Sequence, residues 1–160
     1  MRLYTLALLV SSLFLLSLNQ ALAFPLTPNP KLTTGSLCTK ADADYATDRY
    51  EEKIAYCRRN VSTQDKAQIY RAYGIPKNCW NRYTIDHFYP LSMGGSNHPD
   101  NLWPEHKYVK NTRMNLELET FQRLQNGEIT QKEALDIIKS EKLHPGNPES
   151  RDSSECDRLD

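Results

Sequence analysis

Tyr83-Thr-Ile-Asp-His-Phe-Tyr-Pro-Leu-Ser-Met-Gly-Gly-Ser-Asn-His-Pro-Asp-Asn-Leu-Trp-Pro-Glu-His106 is the stretch that decides how this chain is read. Its first four residues, Tyr83 to Asp86, alternate as a strand does, with Thr84 and Asp86 on one face and Tyr83 and Ile85 on the other. Pro90 and the Gly94-Gly95 pair then force the chain to double back. Asn101 follows His87 by fourteen positions, and His106 comes five later, where a helix can begin. A carboxylate, an imidazole, an amide and a second imidazole are thus expected to converge in one hairpin and the helix after it. Such a set can hold one divalent cation beside a free base. In a straight strand Asp86 and His87 point to opposite faces, so both serve one site only if the backbone bends on entering the loop.

On the N-terminal side the sequence first reads as a targeting segment. Arg2 supplies a positive start, Leu3 to Leu18 is almost unbroken apolar chain, and Ala21-Leu-Ala23 fits a small-residue cleavage site. Residues 1–23 are therefore expected to be a secretory signal peptide, leaving a secreted or periplasmic protein with no membrane anchor. The apolar run is short for a span, and no basic stop-transfer cluster follows. All four cysteines (Cys38, Cys57, Cys79, Cys156) fall after it, and an even number in an exported chain points to two disulfides. Three pairings are open; Cys57 with Cys79 is preferred, with Cys38 tying the tail through Cys156. No two cysteines are close enough for a CxxC metal pair.

Within the 160 residues, basic and acidic side chains number 20 each, and loss of Arg2 leaves 19 against 20. A chain held to nucleic acid by its overall field is basic, so any polyanion contact here must be local. Residues 24–36, with Pro25, Pro28 and Pro30, read as an extended leader. Asp42, Asp44 and Asp48 lack the glycine and closing glutamate of a calcium loop and read as an acidic turn, with Tyr50 to Tyr56 a short irregular segment. Ser62 with Asp65 caps a helix carrying Ala67, Ile69, Tyr70 and Tyr73, which Gly74 and Pro76 stop. His106 to Gln125 reads as one helix with Met114, Leu118, Phe121 and Leu124 on its apolar face. Thr130 with Glu133 opens another, burying Ala134, Leu135, Ile137 and Ile138. Residues 144–160 are Pro-, Ser- and Asp-rich and read as a disordered tail apart from Cys156. The remaining 37–143 is expected to be one small α+β domain and a monomer.

Phosphodiester hydrolysis is the chemistry these residue types suit. Water must lose a proton beside the phosphorus, and the leaving oxygen needs a cation. The rest is placement and electrostatics. A histidine titrating near neutrality serves as the base, and a carboxylate is a hard ligand for an ion such as Mg²⁺. Lys107, Lys110 and Arg113 follow at a helix start and are candidates to grip flanking phosphates, with a solvated helix face the even alternative. His98 and His144 read as exposed, Trp103 and Phe88 as core, and Arg58-Arg59 as a solvated pair.

Asp86-His87, Pro90-Leu91, Gly94-Gly95, Asn97, Asn101-Leu102 and His106 resemble the HNH motif of the His-Me finger (ββα-metal) nucleases, in the form found in small secreted bacterial endonucleases. The motif covers about 24 residues, from Tyr83 to His106. The resemblance implies a ββα-metal core with flanking helices, one divalent metal ion with Mg²⁺ leading, and cleavage of nucleic acid, DNA ahead of RNA and without sequence preference. By the same resemblance His87 is the base, Asp86 and His106 hold the metal, and Asn101 is the structural asparagine bracing the loop near His87. The paired cysteines that bind a structural zinc in many such domains are absent from the motif. The step from Asn101 to His106 is also shorter than usual, which makes Asn111 a second candidate for the last metal position. Two other readings remain: a non-catalytic module that binds nucleic acid or metal, and a disulfide-stabilised exported protein acting through protein contacts.

Overall fold

Two antiparallel hairpins carry all the named strands of the described chain, and helices lie to either side of them. The computed structural model describes residues 24–146, 148 and 154–158; the expected signal peptide, 1–23, lies outside them. The architecture is mixed α+β. The first hairpin pairs β1 (Tyr45–Arg49) with β2 (Ile54–Cys57). Its reversal is built from Tyr50 and Lys53, whose φ angles of 61° and 58° place non-glycine residues in the left-handed region. This hairpin falls where the sequence reads as an acidic turn and an irregular segment. No residue of β1 is fully buried, so the two-residue periodicity that announces a strand is missing there.

The second hairpin pairs β3 (Tyr83–His87) with β4 (Leu102–His106). Tyr83 stands opposite His106, Thr84 opposite Glu105, Ile85 opposite Pro104, Asp86 opposite Trp103 and His87 opposite Leu102. Facing residues of an antiparallel pair share a face. Thr84, Asp86, Trp103 and Glu105 therefore lie on one side, and Tyr83, Ile85, Leu102 and His106 on the other. Pro104 hides β4 from sequence reading, but an edge strand tolerates it, and both strands of a two-stranded ribbon are edges. The connecting loop folds back tightly. A Cβ on Gly95 would sit 1.8 Å from the Tyr89 carbonyl oxygen, so no side chain fits there.

Helix α1 (Thr63–Ala72) starts at Ser62, whose side chain accepts from Asp65 N–H while Asp65 reaches back to the Ser62 amide. Helix α4 (Gln131–Leu143) opens with the same reciprocal cap between Thr130 and Glu133. Each such cap contributes about 1 kcal/mol. The single helix expected over His106 to Gln125 is instead two: α2 (Lys107–Asn111) and α3 (Leu116–Gln125). Thr112 Oγ1 donates to the Val109 carbonyl at 2.7 Å and helps close α2, and α3 restarts in a different phase after Asn115. Met114 and Leu118, placed on the apolar face by periodicity, are consequently 76% and 55% exposed.

Two apolar clusters hold these pieces. Ile69 and Tyr70 of α1 join Ile75, Cys79, Phe24 and the Tyr83, Ile85 and Leu102 face of the second hairpin. Ile54, Met93, Leu124, Ile129, Ala134 and Ile138 form the other cluster between α3, α4 and the loop. The disulfides are Cys38–Cys57 and Cys79–Cys156, which corrects the expected Cys57–Cys79 pairing. Cys57 ends β2 beside the segment that bridges Leu37 to Gly95, whereas Cys79 lies in a turn under the C-terminal residues. That bond and the Phe24 N–H donating to the Arg158 carbonyl at 2.9 Å bring leader and tail together. The leader is packed and carries a turn at 30–32: Phe24 belongs to the core, and Thr33 Oγ1 donates to the Leu102 carbonyl at 2.8 Å. In the tail, residues 154–158 include a short helical turn with Asp157 fully buried. Among the described residues no helix is long and apolar enough to cross a membrane.

Candidate active site

The strand β3 ends on His87, and from there both Asp86 and His87 reach one cleft. Its volume is about 210 Å³, and Arg59, Pro90, Leu91, Ser92 and Glu117 complete the lining. The loop between the strands is held by Asn101, whose amide Oδ1 accepts from the Tyr89 N–H at 2.9 Å. Its Nδ2 donates to the Tyr89 carbonyl at 3.0 Å and the Ser96 carbonyl at 2.8 Å. The Asn101 carbonyl also accepts from the Phe88 N–H at 2.7 Å. Both amide hydrogens and one oxygen lone pair of this buried side chain are therefore spent across the loop that carries His87.

His87 is 4% exposed, with Nε2 3.0 Å from Asn97 Oδ1 and Nδ1 3.5 Å from an Arg59 guanidinium nitrogen. Burial pushes its pKa below the ordinary 6.5; the Asn97 contact opposes that shift and the Arg59 charge adds to it. At neutral pH the ring is uncharged and can take a proton. Arg59 also donates to the Ile85 carbonyl at 3.2 Å, which fixes it at the cleft. Read from sequence it was half of a solvated pair.

Asp86 is surrounded by cations. Lys110 Nζ lies 2.9 Å from one carboxylate oxygen and Lys142 Nζ 2.9 Å from the other. Burial alone would push the Asp86 carboxyl up; the two ammonium groups overcome it and hold the group below the usual carboxylate range. Lys142 is buried and also donates to the His87 carbonyl at 2.7 Å and to Glu117 at 2.7 Å. Glu105, on the same face as Asp86, is in close contact with Arg113 and 3.4 Å from Lys110. Burial and the Asp86 charge push its pKa up to about 7, against the pull of Lys142, Arg113 and Lys110. Lys110 and Lys142 are in turn raised, because these carboxylates outweigh the cost of burying an ammonium.

The expected metal donors divide sharply. His106 lies on the opposite hairpin face from Asp86 and is 1% exposed. Its Nε2 faces Asp157 Oδ1 at 3.1 Å, and its Nδ1 accepts from the Tyr108 N–H at 3.2 Å. Both nitrogens are committed, and the register keeps them away from Asp86. The structure thus does not bring the expected Asp86–His106 pair together. Asn111 is exposed and borders a separate pocket with Lys110, Arg113 and Glu117, outside the cleft that Asp86 and His87 line.

Asp86 and Glu105 offer the hard carboxylate oxygens that Mg²⁺ takes, commonly one or two per site with waters completing the shell. They fit such an ion on condition that Lys110, the half-exposed ammonium bridging them, withdraws. Among the described residues, Cys38, Asp42 and Cys57 are also close enough to suggest a ligand cluster, but those two sulfurs are bonded to each other. Of the expected phosphate contacts, Lys107 is exposed, Lys110 is drawn to carboxylates, and Arg113 is buried against Glu105.

Sequence reasoning missed Glu105 because the expected hairpin had neither bounds nor register for its second strand, and the register sets Glu105 on the face of Asp86. Lys142, 55 residues beyond His87, carries no local signal at all. Compared with models of protein families, with curated proteins and with solved structures, the chain matches none.

Proposed function

We propose that this protein is an exported endonuclease that hydrolyses phosphodiester bonds with a divalent ion, acting on DNA in preference to RNA. The observation that carries the reading is that Asp86 and His87 line one cleft with Arg59, a neutral imidazole beside a carboxylate and a guanidinium. His87 takes the proton of the attacking water. Arg59 presents a planar, permanently charged fork to the scissile phosphate. Asn101 holds the loop, so His87 meets the substrate with its position already fixed. Asp86 and Glu105 are the carboxylates that would hold the ion. An ion held there, Mg²⁺ first, would supply positive charge for the leaving oxygen. Lys107, exposed at the start of α2, meets a flanking phosphate. Two disulfides suit an oxidising compartment. A ββα-metal finger formed by β3, β4 and α2 is part of the same proposal.

Incubation of the purified protein with plasmid DNA, single-stranded DNA and RNA in Mg²⁺, Mn²⁺ or EDTA tests it. Cleavage in the presence of an ion and none in EDTA is the expected result. Intact substrates under every ion overturn the reading. That outcome would favour a non-catalytic module binding nucleic acid or metal.

A further inference from the structure

We propose that Asn97, clamped from behind by Asp44 and the Arg58 carbonyl, fixes His87 in its Nε2–H tautomer and leaves the lone pair on Nδ1, the nitrogen facing Arg59. An asparagine amide has one acceptor oxygen and two donor hydrogens on Nδ2. Asn97 Nδ2 lies 2.5 Å from Asp44 Oδ2 and 2.7 Å from the Arg58 carbonyl oxygen, two acceptors for two hydrogens. A half-turn of the amide would set its oxygen against a carboxylate and a carbonyl, losing both bonds for repulsion. Oδ1 is therefore the atom presented to His87 Nε2, at 3.0 Å. It can only accept, so Nε2 must donate. A neutral imidazole carries one N–H, and Nδ1 is left bare. Arg59 Nη1 stands 3.5 Å from Nδ1, at the outer limit of a hydrogen bond, while Nη2 is given to the Ile85 carbonyl.

The clamp comes from outside the hairpin that carries His87. Asp44 immediately precedes β1 and Arg58 immediately follows β2. The Arg58 N–H donates to the Asp44 carbonyl at 2.9 Å, and the Cys38–Cys57 bond closes the same corner. The first hairpin thereby orients a side chain in the second. Asn97 and Asp44 are positioning residues, and only the consequence for turnover rests on the function proposed above.

The test is long-range proton–nitrogen correlation NMR of the His87 ring in uniformly ¹⁵N-labelled protein, at a pH where the imidazole is neutral. A pyrrole-type Nε2 and a pyridine-type Nδ1 are expected in the native protein. Asn97→Ala, which removes the acceptor, gives a mixture of tautomers, and Asp44→Ala gives a smaller admixture because the Arg58 carbonyl remains. In turnover, Asn97→Ala lowers kcat by about tenfold or more with KM unchanged, within the range a mispositioned base costs. A native Nδ1–H tautomer, or an Asn97→Ala spectrum identical to the native one, overturns the inference. A native Nε2–H tautomer, lost in Asn97→Ala, in a protein that cuts no nucleic acid upholds it and overturns the proposed activity instead.

Discussion

His87 and His106 close the two strands of one hairpin, and they differ in a way that burial alone conceals. Both are almost wholly shielded from water, and burial depresses the pKa of each. A perturbed pKa therefore does not distinguish a site from a scaffold here. What separates them is the far side of the ring. His106 presses edge-on against Tyr83, has Asp157 at Nε2, and gives its Nδ1 lone pair to the Tyr108 amide. His87 has an amide at one nitrogen and the cleft's arginine at the other. One ring is finished on every side. The other holds one nitrogen against an arginine at the limit of hydrogen-bond distance, and that nitrogen is the one we propose takes the proton.

The strongest way to break this comparison is to truncate each ring in turn. His87→Ala is expected to lower phosphodiester cleavage by about 10²- to 10⁴-fold, the contribution of a positioned general base. Its melting temperature should change little relative to that loss. His106→Ala should leave the turnover of the folded fraction within a few-fold of native. Initial rates on plasmid DNA, normalised to folded protein by circular dichroism, decide the matter. If the two variants lose turnover equally, the division of roles is wrong.

The next largest effect lies behind His106, in the covalent tie that brings Asp157 to it. Cys79–Cys156 spans 77 residues, against 19 for Cys38–Cys57. Loop-closure entropy alone assigns the longer bridge about 4.5 kcal/mol and the shorter about 3 kcal/mol. Cys79→Ser with Cys156→Ser is thus expected to destabilise more, as read from urea denaturation midpoints. His106→Ala, which opens a cavity and removes a partner of a buried carboxylate, should cost about 2–4 kcal/mol. Combined with loss of the Cys79–Cys156 bridge, it should add less than its separate cost, because both act on the docking of the same five residues. Full additivity would mean that His106 stabilises the hairpin independently of the tail.

The sequence made one of these histidines legible and misplaced the other, for identifiable reasons. Asp86, His87, Gly94, Gly95 and Asn101 lie close in sequence, and turn chemistry forces them close in space. The sequence reading made Asn101 the brace of the loop, and its side chain spends three hydrogen bonds there. His106 was assigned by spacing, but spacing along a chain does not reveal a face until the strand register is known. A hairpin was expected, but Pro104 hid where β4 runs, so the alternation that turns His106 to the Tyr83 face and Glu105 to the Asp86 face was invisible. Asp157 and Lys142 bind through pairings 51 and 56 residues apart, beyond any local pattern. Helices α1 and α4 were readable because their caps are local. The break between α2 and α3 was not, since every residue from Lys107 to Gln125 is tolerable in a helix and Arg113 is drawn inward by a distant Glu105.

The smallest expected effect is also the one that discriminates most finely. A histidine whose pKa falls below 6.5 on folding resists the proton that the unfolded chain accepts. Its stabilising contribution is complete above about pH 6.5 and is lost as the pH falls from there through the folded pKa. Asp157, lowered from 3.8 by its hydrogen bond from Ser154 and the charge of Arg82 against the cost of burial, adds a second loss further into acid. Glu105 runs the other way: raised from 4.5 to about 7, it favours the folded state below about pH 4.5 and ceases to as the pH rises through 7. Stability measured by urea titration at stepped pH should therefore fall on the acid side of 6.5, with Glu105 partly masking the slope. His106→Gln should shallow that acid limb, and Glu105→Gln should steepen it by removing the mask. If His106→Gln leaves the limb unchanged, the His106 pKa is not depressed on folding. The two rings would then differ in how folding shifts them as well as in what their nitrogens face.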